Sequence, residues 1–302
     1  MSATKKYRFP EVLREGMFLK QRKNRPSTSK TEVYNSKPLL RFFHPYVLTF
    51  DVRDVRRPQK PLTPEAVMKY IDWRREDGVK DQTIRRELAL ASRCITICKQ
   101  KKFWFDIPNP FENPDLEPDV PRTRVATGEE ISAILLAADQ PLKDMVLLWL
   151  QTWMRVSELR ELKRSEDRGD RIVLEHQKNG TDMPLAVNTA AREILDRQPE
   201  GTHFFQWKGA PMSKSCLVWL WKKARRKAGV SCPSVSDLTM RDLRRTGATM
   251  ALSQPGVYIG DISAQLRHKS IRMAEKVYTT PSVERAKSAV DSLAGLYTES
   301  VR

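Results

Sequence analysis

Between Asp106 and Pro121 the chain carries five prolines: Pro108, Pro110, Pro114, Pro118 and Pro121. Proline fixes φ, lacks an amide donor and clashes with the preceding turn. No helix can therefore run through this stretch, and no central strand along it. The chain has to fold on either side of it. A length of 302 residues suits two domains, at roughly 150 residues each. The expected layout is a basic extension over 1–30, a helical domain over 31–107, a stiff extended linker over 108–124 and a second domain over 125–302.

The first domain reads as helical. Thr63 is placed to cap a helix whose first turn holds Pro64. Further on, Ile84, Leu88, Ala91, Ile95 and Cys98 recur at steps of three and four, which gives one apolar helix face. Arg85, Arg86 and Arg93 fall off that line, onto a polar surface. In the second domain Thr127-Gly-Glu-Glu130 forms a capping box ahead of the apolar positions Ile131, Ile134, Leu135 and Ala138. The run MVLLWLQTWM (145–154) is too apolar for a surface helix and belongs in a core. RIVLEH and MPLAV read as short strands joined by a hairpin around Asn179-Gly180. CLVWLWKKARRKAG (216–229) is a helix with Trp219, Trp221 and a dense basic end. Val283, Ala286, Val290, Leu293 and Tyr297 make a last helical stripe. The fold class is mainly α with a small β-sheet (α+β). Residues 1–30, with Pro10, Pro26 and a polar PSTSK run, read as a loosely held tail or a DNA-contacting arm.

Lys and Arg number 54 against 37 acids, a formal net charge of +17 with a pI near 9.8. Such a surplus favours a polyanionic partner, because each neutralised phosphate releases condensed counterions. Composition alone leaves a passive RNA binder open. No apolar run reaches the length of a membrane span, and the N-terminus lacks a signal-peptide core. Cys94, Cys98, Cys216 and Cys232 form no C-x-x-C pair and have no partnering histidine spacing. They read as the buried thiols of a cytoplasmic protein, with no zinc or other metal site.

The chemistry-bearing residues gather late in the chain. TWMRVSELREL supplies Arg155 and Glu158, and HQKNG supplies Lys178 at the hairpin turn. RDLRRTGATMAL supplies Arg241 and Arg244, and LRHKSIRMAEKVYTT supplies His268 and Tyr278. Cleaving a phosphodiester builds negative charge on its non-bridging oxygens, so preorganised cations are the main catalytic resource. Arginine suits the task, since its planar fork donates two parallel hydrogen bonds and stays charged. Arg241 and Arg244 are three apart and share a helix face. Glu158, three after Arg155, either orients that guanidinium or is an ordinary helix ion pair.

Those three boxes, in order and with the hairpin lysine among them, resemble the tyrosine recombinases of the phage integrase family. The resemblance covers Val125 to Leu296 strongly and the helical half through layout only. It implies that Tyr278 is the nucleophile, that Arg155, Arg241, Arg244 and His268 hold the phosphate, and that Lys178 protonates the leaving 5′ oxygen. It implies a site-specific recombinase acting in the cytoplasm of a phage's host. That enzyme would close on double-stranded DNA as a C-shaped clamp, with Arg85, Arg86, Arg93 and Arg267 as further DNA-binding candidates. It would work as a homo-tetramer through a Holliday junction, with the last helix docking on a neighbour. Accessory DNA-bending proteins are optional, and no metal, cofactor or ATP is required. Two positions depart from the family pattern. Arg241 stands where histidine is usual, which removes a general base, and Arg267 stands where glycine is typical. The alternatives are a resolvase or type IB topoisomerase-like enzyme, and a DNA-binding protein with impaired catalysis.

Overall fold

In the computed structural model, which describes residues 7–21, 26–48, 60–101, 108–112, 114–118, 120–175 and 183–278, the chain divides into two compact units, Met1–Val120 and Pro121–Arg302. The first unit contains α1 (Phe9–Gln21), α2 (Pro26–Phe43), α3 (Pro64–Glu76) and α4 (Asp81–Lys101). A minimal parallel pairing of β1 (Tyr46–Val47) with β2 (Lys60–Pro61) completes it. The α4 stripe read from the sequence is buried along its whole length: Ile84, Leu88, Ala91 and Cys98 are fully enclosed and Ile95 nearly so. Thr63 caps α3 by accepting the Ala66 amide, and Pro64 takes an opening helical position.

The segment expected as a loosely held extension is corrected from Phe9 onward. Phe9, Val12 and Leu13 recur at helical spacing, and α1 buries them against α4. Gly16 permits the approach, since a Cβ there would lie 2.6 Å from the Cys94 Cα. Pro10 sits in the first turn, where its missing amide does no harm. The Phe9 ring packs 5.1 Å from Phe43 and 5.6 Å from Phe111.

Phe111 also bears on the linker, which is not a free strut. Phe111 and Leu116 are buried in the first unit's core. Arg85 donates to the carbonyls of Leu116 (3.1 Å) and Glu117 (2.6 Å). A stretch poor in amide donors still carries carbonyl acceptors, and Arg85 satisfies two of them. Arg85 is therefore half-buried and structurally engaged, while Arg86 and Arg93 stay exposed. Residues 122 and 124 belong instead to the second unit. Arg122 binds the buried Asp242 (2.9 Å), and Arg124 binds Glu130 (2.7 Å) and Asp237 (2.7 Å).

The second unit runs α5 (Gly128–Ala137), α6 (Leu142–Thr152), α7 (Val156–Arg160), β3 (Arg171–Ile172), β4 (Leu185–Ala186), α8 (Thr189–Asp196), β5 (Gln206–Trp207), β6 (Ala210–Pro211), α9 (Lys214–Ala228), α10 (Met240–Leu252), α11 (Ile259–Gln265) and α12 (Ile271–Tyr278). Thr127 and Glu130 close the capping box of α5 in both directions, at 3.2 and 3.0 Å. The apolar helix α6 lies in the core, packed by α8, α9 and α10. β3 pairs antiparallel with β4, and β5 with β6. The unit is mostly helical with small sheets. No helix among the described residues is long and apolar enough to cross a membrane. The hairpin turn with Lys178 and the stripe from Val283 to Tyr297 lie outside the described residues.

Candidate active site

Arg155 is delivered by the way α6 ends. Trp153 caps that helix in the left-handed conformation, at φ 52°. Two indoles hold the turn: Trp149 donates to the Met154 carbonyl (2.7 Å) and Trp153 to the Leu150 carbonyl (3.0 Å). α10 presses directly on this turn at Gly247, where a Cβ would meet the Leu150 carbonyl and come within 2.6 Å of the Trp153 ring. A residue with any side chain at 247 would push the two helices apart.

Glu158 then fixes Arg155. Its carboxylate accepts the Arg155 amide and the Arg155 guanidinium, each at 2.8 Å. A further donor, Arg267 Nη2, binds the same carboxylate. Burial would raise the Glu158 carboxyl, but the charges of Arg267 and Arg155 and their hydrogen bonds outweigh it and hold the group below the usual carboxylate range. Glu158 is thus a largely enclosed anion shared by two guanidinium groups, and more than a solvent-facing helix pair.

α10 opens on the capping exchange between Thr239 and Asp242 (2.8 Å). Two turns of its buried face carry Leu243, Thr246, Gly247 and Ala248. Arg244 extends from this face and donates through Nη2 to the Leu266 carbonyl (2.9 Å), while its Nη1 is buried with no partner among the described residues. Burial and then the like charge of Arg155 pull Arg244 down to about 10, so it keeps its charge at neutral pH.

α11 ends in a Schellman motif. The Arg267 amide bonds the Ala264 carbonyl (2.8 Å) and the His268 amide bonds the Ser263 carbonyl (3.0 Å). The residue in the left-handed position is Arg267, at φ 51°. That conformation disfavours any residue with a Cβ by about 1–2 kcal/mol, which is why glycine usually fills it. The same turn aims His268 at the arginines. Burial, then the charges of Arg244 and Arg155, push its imidazole down to about 4. Its Nδ1 is buried and has no partner among the described residues.

Tyr278 closes α12 and packs on the small cluster of Ala248, Leu252, Ile262 and Leu266. Burial raises its phenol, and the Arg244 and Arg245 charges pull it partly back. The phenol therefore shares one electrostatic cluster with Arg244, and through it with Arg155, Glu158, Arg267 and His268. Orphaned buried donors beside a half-buried phenol suit an anionic group with several acceptor oxygens. Among the described residues no group of acidic, histidine or cysteine side chains is arranged to hold a metal.

Two expected residues are placed differently from their sequence reading. Arg241 is exposed on the first turn of α10, and among the described residues its side chain makes no hydrogen bond or ion pair. Arg267, expected as a DNA contact, is fully buried instead. It faces Glu158 and is out of reach of a duplex. Two residues escaped the sequence reading. Arg245 acts on Tyr278 but has no spacing signal of its own. Gln265 mimics a strand edge, bonding the Ala186 amide (3.0 Å) and carbonyl (3.1 Å), and so ties β4 to the His268 turn.

Comparison with known proteins places this chain in a family. The sequence pattern of the phage integrase family matches residues 124–285. The integrase of Escherichia phage P2 is 24% identical over 143 residues, which is 47% of this chain and 42% of that protein. The chain thus matches less than half the length of that curated relative. Among solved structures, the Tn1549 transposon integrase in complex with transposon right end DNA superposes with a TM-score of 0.70 at 16% identity, over 94% of this chain and 99% of that one. A lambda integrase dimer bound to a COC' core site gives a TM-score of 0.70 at 18% identity, over 91% of this chain and 78% of the other. A lambda integrase tetramer bound to a Holliday junction gives 0.69 at 18%, over 91% and 79%. At these identities the likeness establishes the fold.

Proposed function

We propose, because this chain belongs to the phage integrase family, that it is a site-specific DNA recombinase that cuts and rejoins strands through Tyr278. The phenolic oxygen of Tyr278 attacks a DNA phosphorus and forms a 3′-phosphotyrosine, and the bond from phosphorus to the 5′ oxygen breaks. Arg155, Arg244 and His268 bind the non-bridging oxygens as their charge grows. Arg241 meets the same phosphate from the solvent side once a duplex docks. With no base at position 241, the phenol proton passes to the bound phosphate. Lys178 protonates the leaving 5′ oxygen. The 5′ hydroxyl of a partner strand then attacks the phosphotyrosine and releases Tyr278. The covalent intermediate keeps the bond energy, so neither ATP nor a metal takes part. Four protomers act on two duplexes through a four-way junction, in the cytoplasm of a host cell, and the product is an integrated or excised mobile element.

What carries this reading is the clustering of the Tyr278 phenol with Arg155, Arg244 and His268, where Arg244 Nη1 and His268 Nδ1 are buried without partners among the described residues. A nicked suicide duplex spanning the element's own junction tests it. The protein should form a covalent DNA adduct that Tyr278→Phe abolishes, and Arg244→Ala should slow its formation by about 10²–10³-fold. A mobility shift with no adduct would instead describe a DNA-binding protein without strand-transfer activity.

A further inference from the structure

Arg267 combines three properties that each disfavour arginine. It is fully buried, it is charged, and its backbone holds the left-handed conformation that glycine adopts without strain. Among the described residues its guanidinium has a single hydrogen-bond partner, the Glu158 carboxylate, and its Nε and Nη1 are orphaned. Glu158 is the residue that grips Arg155 by amide and guanidinium.

The pairing joins elements far apart in sequence, since Glu158 lies in α7 while Arg267 follows α11. With Arg155 alone, the carboxylate and guanidinium would lie within one turn of a five-residue helix and could swing together. A second guanidinium from another element removes that freedom. The same turn also supplies the Leu266 carbonyl to Arg244 and carries His268 as its next residue. One cap therefore sets the placement of three phosphate-binding groups.

We infer that Arg267 is a positioning residue of the strand-transfer site, which fixes Glu158 and through it the face that Arg155 presents to the scissile phosphate. The inference rests on the recombinase reading above.

The test compares Arg267→Gly, Arg267→Met, Arg267→Lys, Glu158→Gln and the Arg267→Gly/Glu158→Gln double variant. Single-turnover adduct formation, duplex affinity and melting temperature are measured, together with NMR of ¹⁵Nε-labelled arginines in the free protein. Arg267→Gly keeps the cap geometry, so it should fold and bind duplex as the parent does. Its adduct formation should fall about ten- to hundredfold, the effect of a reacting group misplaced by about an ångström. Arg267→Lys should recover part of the loss, Arg267→Met none of it, and the double variant should be little worse than Glu158→Gln alone. The Arg155 Nε signal should broaden in Arg267→Gly. Parental adduct rates in Arg267→Gly and Arg267→Met, or fully multiplicative losses in the double variant, would overturn the inference. Should the parent protein itself form no adduct, the recombinase reading fails. The NMR comparison then decides the positioning claim alone, and an unchanged Arg155 signal in Arg267→Gly sinks it.

Discussion

His268 enters the site without its extra proton. Burial and the flanking charges of Arg244 and Arg155 hold its imidazole near 4, against an ordinary value of about 6.5. Between those two values the unfolded chain binds the proton and the folded chain does not. The contribution of this residue to stability is therefore complete above about pH 6.5 and declines as pH falls toward 4. Thermal melts from pH 7 to 4.5 should show a falling midpoint, and His268→Asn should remove part of that slope. A slope identical in the variant would show that the imidazole titrates normally. The grouping of Arg155, Arg244, His268 and Tyr278 was legible because arginine, histidine and tyrosine recur in recognisable boxes. Their surroundings were not. Arg267 read as a DNA contact because sequence records a charge but not its burial, and Arg245 carries no spacing signal beside Arg244.

At the scale of elements, the site depends on two helices touching where a Cβ does not fit. The turn after α6 carries Arg155, and Gly247 of α10 rests on it through the Leu150 carbonyl and the Trp153 indole. Gly247→Val should destabilise the protein by about 1–3 kcal/mol, the usual effect of overpacking a filled core. Urea denaturation would register it as a lower midpoint with an unchanged slope. An unaltered midpoint would mean that α10 stands off the turn. Periodicity revealed α4 and the capping box revealed α5, since both signals are local. It revealed α1 poorly, because Pro10 and the basic residues around it suggested a tail. The deciding facts, Phe9 against Phe43 and Gly16 against Cys94, are contacts between distant positions. The anchoring of the proline-rich stretch was hidden for the same reason: its composition excludes helix and strand but does not reveal that Arg85 and the aromatic core hold it down.

For the molecule as a whole, a net charge of +17 makes ionic strength the controlling variable of any association with DNA. A protein that neutralises six to ten phosphates loses about 10³–10⁵ in affinity between 50 and 200 mM salt. The arginines of α4 allow that dependence to be assigned residue by residue. Arg86 and Arg93 are exposed and seven positions apart on one helix, whereas Arg85 is committed to the carbonyls of Leu116 and Glu117. If α4 faces a duplex, Arg86→Ala and Arg93→Ala should each flatten the plot of log affinity against log salt by about one unit. They should weaken all duplex sequences alike and leave the melting temperature in place, because neither residue is built into the fold. Arg85→Ala should do the reverse, lowering the melting temperature while leaving the salt slope near that of the parent. Titrations of the three variants at four salt concentrations, on a specific and a scrambled duplex, separate the outcomes. An unchanged slope in both Arg86→Ala and Arg93→Ala would assign the basic face of α4 to solvation and move the phosphate contacts elsewhere on the chain.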